Sequence, residues 1–124
     1  CRRLLASESV GRISWASSSG QLILPVTYVY LDQIIGFRTT PDGTLAELAR
    51  PTQVAFEVDS LDSRRNEAVS VVVQGVTRAA ERDGRTPEWT EDVVPWGGGR
   101  RPLAIEIEIT KITGRRIQRG PDRG

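Results

Sequence analysis

Arg38, Thr39, Gly43 and Thr44 are the residues of this sequence whose types and spacing could do chemistry. They close a stretch, Pro25 to Arg50, that reads PVTYVY, a two-residue turn at Asp32-Gln33, IIGFRTT and then PDGTLAELAR. The pattern predicts a strand, a hairpin, a second strand and a short helix over Thr44–Ala49, opened by Asp42-Gly43-Thr44 and stopped by Pro51. A loop that ends a strand and begins a helix exposes backbone N–H groups, which suit an anion such as a phosphate. Hydroxyls, one guanidinium and those N–H groups converge on the same loop. The plainer reading stands beside this one: Arg38 as a solvated edge residue, and Asp42-Gly43-Thr44 as a helix cap and turn.

Composition narrows the chemistry. The 124 residues are enough for one core and too few for two, so a single domain over 1–124 is expected, with a Gly, Pro and charge-rich tail fraying over 119–124. There is no histidine, which excludes Ser–His–Asp and Cys–His nucleophile systems. A zinc site would need carboxylates alone or the single Cys1, and no metal site is expected. No catalytic residue can be assigned. Any redox or hydrolytic chemistry must therefore be carried by a bound cofactor. Seventeen basic against sixteen acidic residues give a net charge of +1, which speaks against a nucleic-acid protein. No run of apolar residues is long enough for a membrane span, and none at the N-terminus reads as a signal peptide, although a chain beginning at Cys1 is expected to lack its native start. A lone cysteine forms no internal disulfide; a cytoplasmic protein is expected.

The positioning elements follow from periodicity. Cys1–Ser7 reads as the end of an amphipathic helix. Ser9–Ala16 alternates, with Gly11, Ile13 and Trp15 on one face, and a turn follows at Ser17–Gly20. Gln21–Leu31 is apolar on both faces, as in a strand covered on both sides by a closed barrel or a partner subunit, and Pro25 marks a sheet edge or bulge. Strands follow at Gln33–Thr39 and Thr52–Asp59, then a polar loop at Ser60–Glu67. Ala68–Ala80 is the most β-branched stretch, and Gly75 within it predicts a bulge or close approach. Residues 83–101 are mostly irregular, with a short helix cap at Thr86-Pro87-Glu88 and a flexible Gly97-Gly98-Gly99 tip. Leu103–Ile109 alternates, with Glu106 and Glu108 facing outward, and Ile112–Ile117 continues it past Gly114. Trp15 and Phe56 read as core, Trp89 and Trp96 as cover for a core edge or a subunit seam, and Arg115 and Arg116 as solvated charges. The fold class is mainly β: a six-stranded antiparallel barrel with one or two short helices.

Six blocks in order, LLASESVGRISW, PVTYVY, IIGFRTTPDGT, VAFEVD, SVVVQG and ITGRRI, resemble the pyridoxamine 5′-phosphate oxidase-like family of FMN-binding split β-barrels, over Leu4 to Ile117. The resemblance implies a split barrel, a homodimer with cofactor sites at the subunit interface, FMN as cofactor and oxidoreductase activity carried by it. Position by position, it implies that Arg38 and Thr39 lie along the flavin ring edge and ribityl chain, and Gly43 and Thr44 near the phosphate. Val26 and Tyr28 would wall the cofactor, and Ser70 would reach it from the partner chain.

Two positions depart from the family pattern. Leu45 stands where many relatives have a lysine for the phosphate, and Val69 where close relatives have a tryptophan. Losing a charge-assisted phosphate contact removes roughly 1.5–3 kcal/mol; Arg50 could substitute from the helix end. The substrate-grasping histidine of the true oxidases is absent. Two readings result: a flavin-dependent oxidoreductase, or a non-catalytic split-barrel module that binds flavin, deazaflavin or another anionic ligand weakly or not at all. Haem would have only Tyr28 or Tyr30 as an axial ligand.

Overall fold

Alternating and β-branched runs become six antiparallel strands that close into a ring. The computed structural model describes residues 2–40, 43–62, 64–81, 85–91 and 103–118. A short helix α1 (Arg2–Ser7) precedes β1 (Val10–Ser17), β2 (Gly20–Leu31) and β3 (Ile34–Thr39). A 3-10 turn, η1 (Thr44–Ala49), leads to β4 (Gln53–Asp62) and β5 (Glu67–Ala79), and a second, η2 (Glu88–Glu91), precedes β6 (Leu103–Gln118). The ring order is β1-β2-β3-β6-β5-β4. It closes through three Cα pairs between β1 and β4: Arg12 with Glu57, Ile13 with Phe56, and Ser14 with Ala55. Among the described residues, no helix is long and apolar enough to cross a membrane.

Alternation sends one face of each strand inward. Ile13, Ile35, Phe37, Phe56, Val71, Val73, Ile105 and Ile107 are fully buried, and Trp15 nearly so. The rings of Tyr28 and Phe56 meet edge to face, with centroids 4.9 Å apart and planes at 76°. Leu5 of α1 and Leu48 of η1 are fully buried in the same core. Trp15 Nε1 donates to Glu47 of η1.

The phenol of Tyr28 donates to the Leu5 carbonyl at 2.7 Å and ties α1 to the barrel. Burial, and then the nearby Glu8 carboxylate, push its pKa well above the ordinary tyrosine value. The protonated form is the one the fold favours. Its contribution is therefore complete below about pH 10 and is lost as the pH rises above that ordinary value. Tyr28→Phe should cost about 1 kcal/mol at neutral pH and lose less stability than wild type on going to strongly alkaline pH, as urea titrations across that range would read.

Within one chain the strand over Gln21–Leu31 is covered on one face: Val26 and Tyr28 turn into the core, while Ile23 is 63% and Leu31 42% exposed among the described residues. Two expectations need correction. The polar stretch Ser60–Glu67 is largely strand: β4 runs through Asp62 and β5 starts at Glu67. Asp62 Oδ1 accepts from the backbone N–H groups of Arg64 and Arg65, and Asn66 takes a left-handed φ of 50°, so a tight hairpin replaces the loop. Glu106 lies on the outer face as its parity requires, yet it is only 6% exposed, because η2 covers it.

Other local expectations hold. The register between β5 and β6 shifts between Gln74 and Gly75, and Thr110 is the extra residue on β6; its hydroxyl donates to the Gln74 carbonyl at 3.0 Å. Pro25 sits opposite Arg12, and β2 pairs with β3 only over Tyr28–Leu31, so the proline stands where the second edge of β2 has no strand neighbour. Ile112–Ile117 continues β6 past Gly114.

β6 pairs with β3 only as far as Glu108, and β4 meets β1 no later than Glu57. Beyond those points β4, β5 and β6 continue together as a three-stranded extension that carries Ser70 and Arg115. On it Leu61 is 79% and Ile117 54% exposed. Asp42, Trp96, the Gly97–Gly99 tip and the 119–124 tail fall outside the described residues.

Candidate functional site

Strand parity divides the expected site residues. On β3, Phe37 and Thr39 are buried, and Arg38 between them points to the outer face. Arg38 is half-buried, and its Nη1 donates to the carbonyl of Thr90 in η2 at 3.1 Å. After β3 the chain turns tightly: the Gly43 N–H donates to the Thr40 carbonyl at 3.1 Å, and the Gly43 carbonyl accepts from Ala46 at 3.1 Å. A Cβ at Gly43 would lie 2.8 Å from Thr40 Oγ1 and 3.7 Å from Thr39 Oγ1, so two hydroxyls converge on this glycine. The helix that follows is 3-10, with Gly43 extended at its start and no side-chain cap. Thr44 is exposed, while Leu45 packs against the core.

Val26 and Tyr28 stand in the barrel core, 8% and 4% exposed. Their neighbour Val29 joins the outer cluster instead. Ser70 is half-buried on the extension, paired with Asp59 on one side and Arg115 on the other. Arg38 pairs with Ala104 near the start of β6, and Ser70 with Arg115 near its end. That stretch of strand spans on the order of 30 Å. The chain therefore keeps Thr39, Thr40 and Gly43 together at the turn, with Arg38 on the opposite face of β3 from Thr39, and holds Ser70 at another place.

An outer-face cluster escaped the sequence reading. Trp89 lies over Gly36: a Cβ there would come within 2.7 Å of the indole Cη2 and Cζ3. Its Nε1 donates to Glu106 Oε1 at 3.2 Å, and Arg78 Nε donates to Glu106 Oε2 at 3.0 Å. Arg78 also pairs with Glu108 at 2.6 Å. Ala80, Ala104, Val29 and Ile34 complete the patch. Beside η2 lies a cleft of about 760 Å³, lined by Ile34, Arg78, Ala80, Arg85, Pro87 and Glu106 among others. A glycine inside an apolar strand was the one available signal, since such a glycine marks a close approach. The approaching group, Trp89, is remote in sequence.

Chemically, this face offers a guanidinium, hydroxyls and backbone amides. Two carboxylates near it are engaged: Glu47 accepts from Trp15, and Glu106 from Trp89 and Arg78. The arrangement suits binding and orienting a polar or anionic ligand better than proton transfer by a side chain.

A sequence profile described as pyridoxamine 5′-phosphate oxidase matches residues 1–116. The chain belongs to the pyridoxamine 5′-phosphate oxidase family. The uncharacterized protein Rv0080 of Mycobacterium tuberculosis is 29% identical over 120 residues, which span 93% of this chain and 79% of that protein. The FAD binding protein from Mycobacterium smegmatis is 28% identical and superposes with a TM-score of 0.76, over 94% of this chain and 91% of its own. A FAD-binding protein from Mesorhizobium loti, 24% identical with a TM-score of 0.71 over 95% of this chain and 93% of its own, shows the shared fold alone. Thus the pyridoxamine 5′-phosphate oxidase family match and the ring topology agree over nearly the whole chain.

Proposed function

We propose that this chain is a flavin-binding protein, with FMN as its cofactor, and that it acts as a flavin-dependent oxidoreductase of the pyridoxamine 5′-phosphate oxidase family. The observation that carries the reading is the turn after β3, where the Thr39 and Thr40 hydroxyls converge on Gly43 directly after Arg38, in a chain matched to that family over 1–116. The donor set fits a flavin: a guanidinium and hydroxyls suit the ring edge and ribityl chain, and Gly43 and Thr44 lie beside the place for the phosphate. Val26 and Tyr28 back this wall from the core side and stiffen the strand that bears it. A bound flavin supplies the two-electron chemistry that a site without histidine lacks.

The reading includes a homodimer. Ser70 would complete the site from a second copy, because its own chain keeps it at the far end of β6 from Arg38. The exposed Ile23, Leu31, Leu61 and Ile117 provide apolar surface for that contact. The single cysteine suits a reducing, cytoplasmic setting.

Two observations favour alternatives. The Mycobacterium smegmatis relative is a FAD binding protein, which favours FAD in the same place. Leu45, with no charge to offer a phosphate, favours a weakly binding module that takes flavin or deazaflavin without turnover. Titration of the purified protein with FMN, FAD and a deazaflavin, read by flavin fluorescence and size-exclusion chromatography, separates them. Saturable FMN binding at about micromolar Kd, one per chain in a dimer, is expected. Arg38→Ala and Thr44→Ala should each weaken it with the fold intact. No binding of any flavin at millimolar concentration would overturn the reading, and unchanged affinity in both variants would remove this turn from the site.

A further inference from the structure

The proposed phosphate position is short of positive charge. Between Arg38 and Arg50 the sequence has no lysine or arginine, but it has Asp42 and Glu47. A phosphate monoester brings about −1.5 to −2 charges at neutral pH. Arg38 is already bonded to the Thr90 carbonyl. Arg50 caps the end of η1 opposite Gly43, more than about 10 Å along the 3-10 axis, so a tight complex needs a cation from elsewhere.

The register of the extension supplies one. Arg115 is the β6 partner of Ser70. Val71 and Val73 are fully buried on the inner face, so Ser70 faces outward, and its cross-strand partner Arg115 shares that face. The carboxylate on Ser70's other side, Asp59, is taken by Arg12 at 3.3 Å. Arg115 is exposed and makes no ion pair with another described residue. Arg116, paired with Val69, has the opposite parity.

We infer that Arg115 of the partner subunit provides the cation for the flavin phosphate, in the role that Leu45 leaves unfilled. This rests on the flavin and dimer reading above, in which Ser70 enters the site from the second copy. Whatever geometry brings Ser70 to the cofactor brings Arg115 beside it, one strand away. A guanidinium binds phosphate by charge-assisted, bidentate hydrogen bonds. Arg115 therefore distinguishes FMN, which carries the phosphate, from riboflavin, which does not.

The test titrates wild type, Arg115→Ala, Arg115→Lys and Arg116→Ala with FMN and with riboflavin, and follows each variant by size-exclusion chromatography. Arg115→Ala should lose about ten- to a hundredfold in FMN affinity, with riboflavin affinity within about twofold of wild type on the same scale. Arg115→Lys should recover part of the loss, and Arg116→Ala should match wild type. Wild-type FMN affinity in Arg115→Ala overturns the inference and leaves the flavin reading standing. Equal loss of FMN and riboflavin, with or without dissociation of the dimer, also overturns it, because the arginine would then serve the interface and not the phosphate. A wild type that binds neither ligand overturns the flavin reading itself, and the inference with it.

Discussion

Gly36→Val should drive Trp89 off the barrel and lower the unfolding free energy by about 2–4 kcal/mol. A Cβ at position 36 would stand 2.7 Å from the indole Cη2 and Cζ3 and 2.8 Å from Cδ2, so the clash is with the flat of the ring. No side-chain rotation of valine relieves it. The strand cannot retreat either, because Gly36 is paired with Val29 on one side and Glu106 on the other. The ring must leave, and burying an aromatic of 150–250 Å² contributes roughly 4–6 kcal/mol as an upper bound. Leaving also strips Glu106 of its indole donor and removes Thr90 from Arg38, so flavin affinity should fall along with stability. Urea denaturation of Gly36→Val and of the double variant Gly36→Val, Trp89→Ala reads the coupling. The second substitution should cost little in the valine background and much in the wild type. Equal costs in the two backgrounds would show that Trp89 does not rest on Gly36.

Phe56→Ala should cost about 3–5 kcal/mol, a large share of a typical domain's 5–15 kcal/mol. Phe56 is fully buried, meets the ring of Tyr28 edge-on, and lies in the three-pair closure between β1 and β4 through Ile13. Truncation leaves a cavity at the point where the ring has the fewest paired positions among the described residues. Phe56→Leu keeps most of the volume and should cost less than about 1.5 kcal/mol if the site repacks. Thermal unfolding of the two variants side by side checks this, and similar melting temperatures for both would argue against a packed closure at Phe56.

Much of the fold was legible because strands announce themselves by parity. Ile13 and Trp15, or Ile105 and Ile107, are spaced by two and all turn inward. Gly75 signalled the bulge because a strand interior has little other use for glycine, and Gly36, which went unread in the sequence, carries the same signal for Trp89. Parity is blind to what covers the outside. Glu106 reads as a solvent-facing carboxylate, and the remote Trp89 and Arg78 cover it and bond to it. The outer face of Gln21–Leu31 shows the same blindness: the run is apolar enough for cover on both faces, and the chain alone leaves Ile23 exposed. For the candidate site, the end of β3 at Thr39 and the short helix from Thr44 were legible from local sequence. The distance from Arg38 to Ser70 within one chain was not, because local sequence carries no information on which strands end up far apart.

The ring order β1-β2-β3-β6-β5-β4 has one further consequence. It is two three-stranded meanders of sequence-adjacent strands, joined along two seams. The β1–β2, β2–β3 and β4–β5 pairs close quickly because their turns are short, whereas β5–β6 is connected through 80–102 and the seams join segments distant in the chain, so these form later. One seam is the brief β1–β4 contact. The other runs from Ile34 with Glu108 to Thr39 with Leu103, and Arg38 lies on it. A ligand gripped at Arg38 therefore acts as a rivet between the halves: the free energy of binding it is spent against the opening of the seam that the backbone alone closes last.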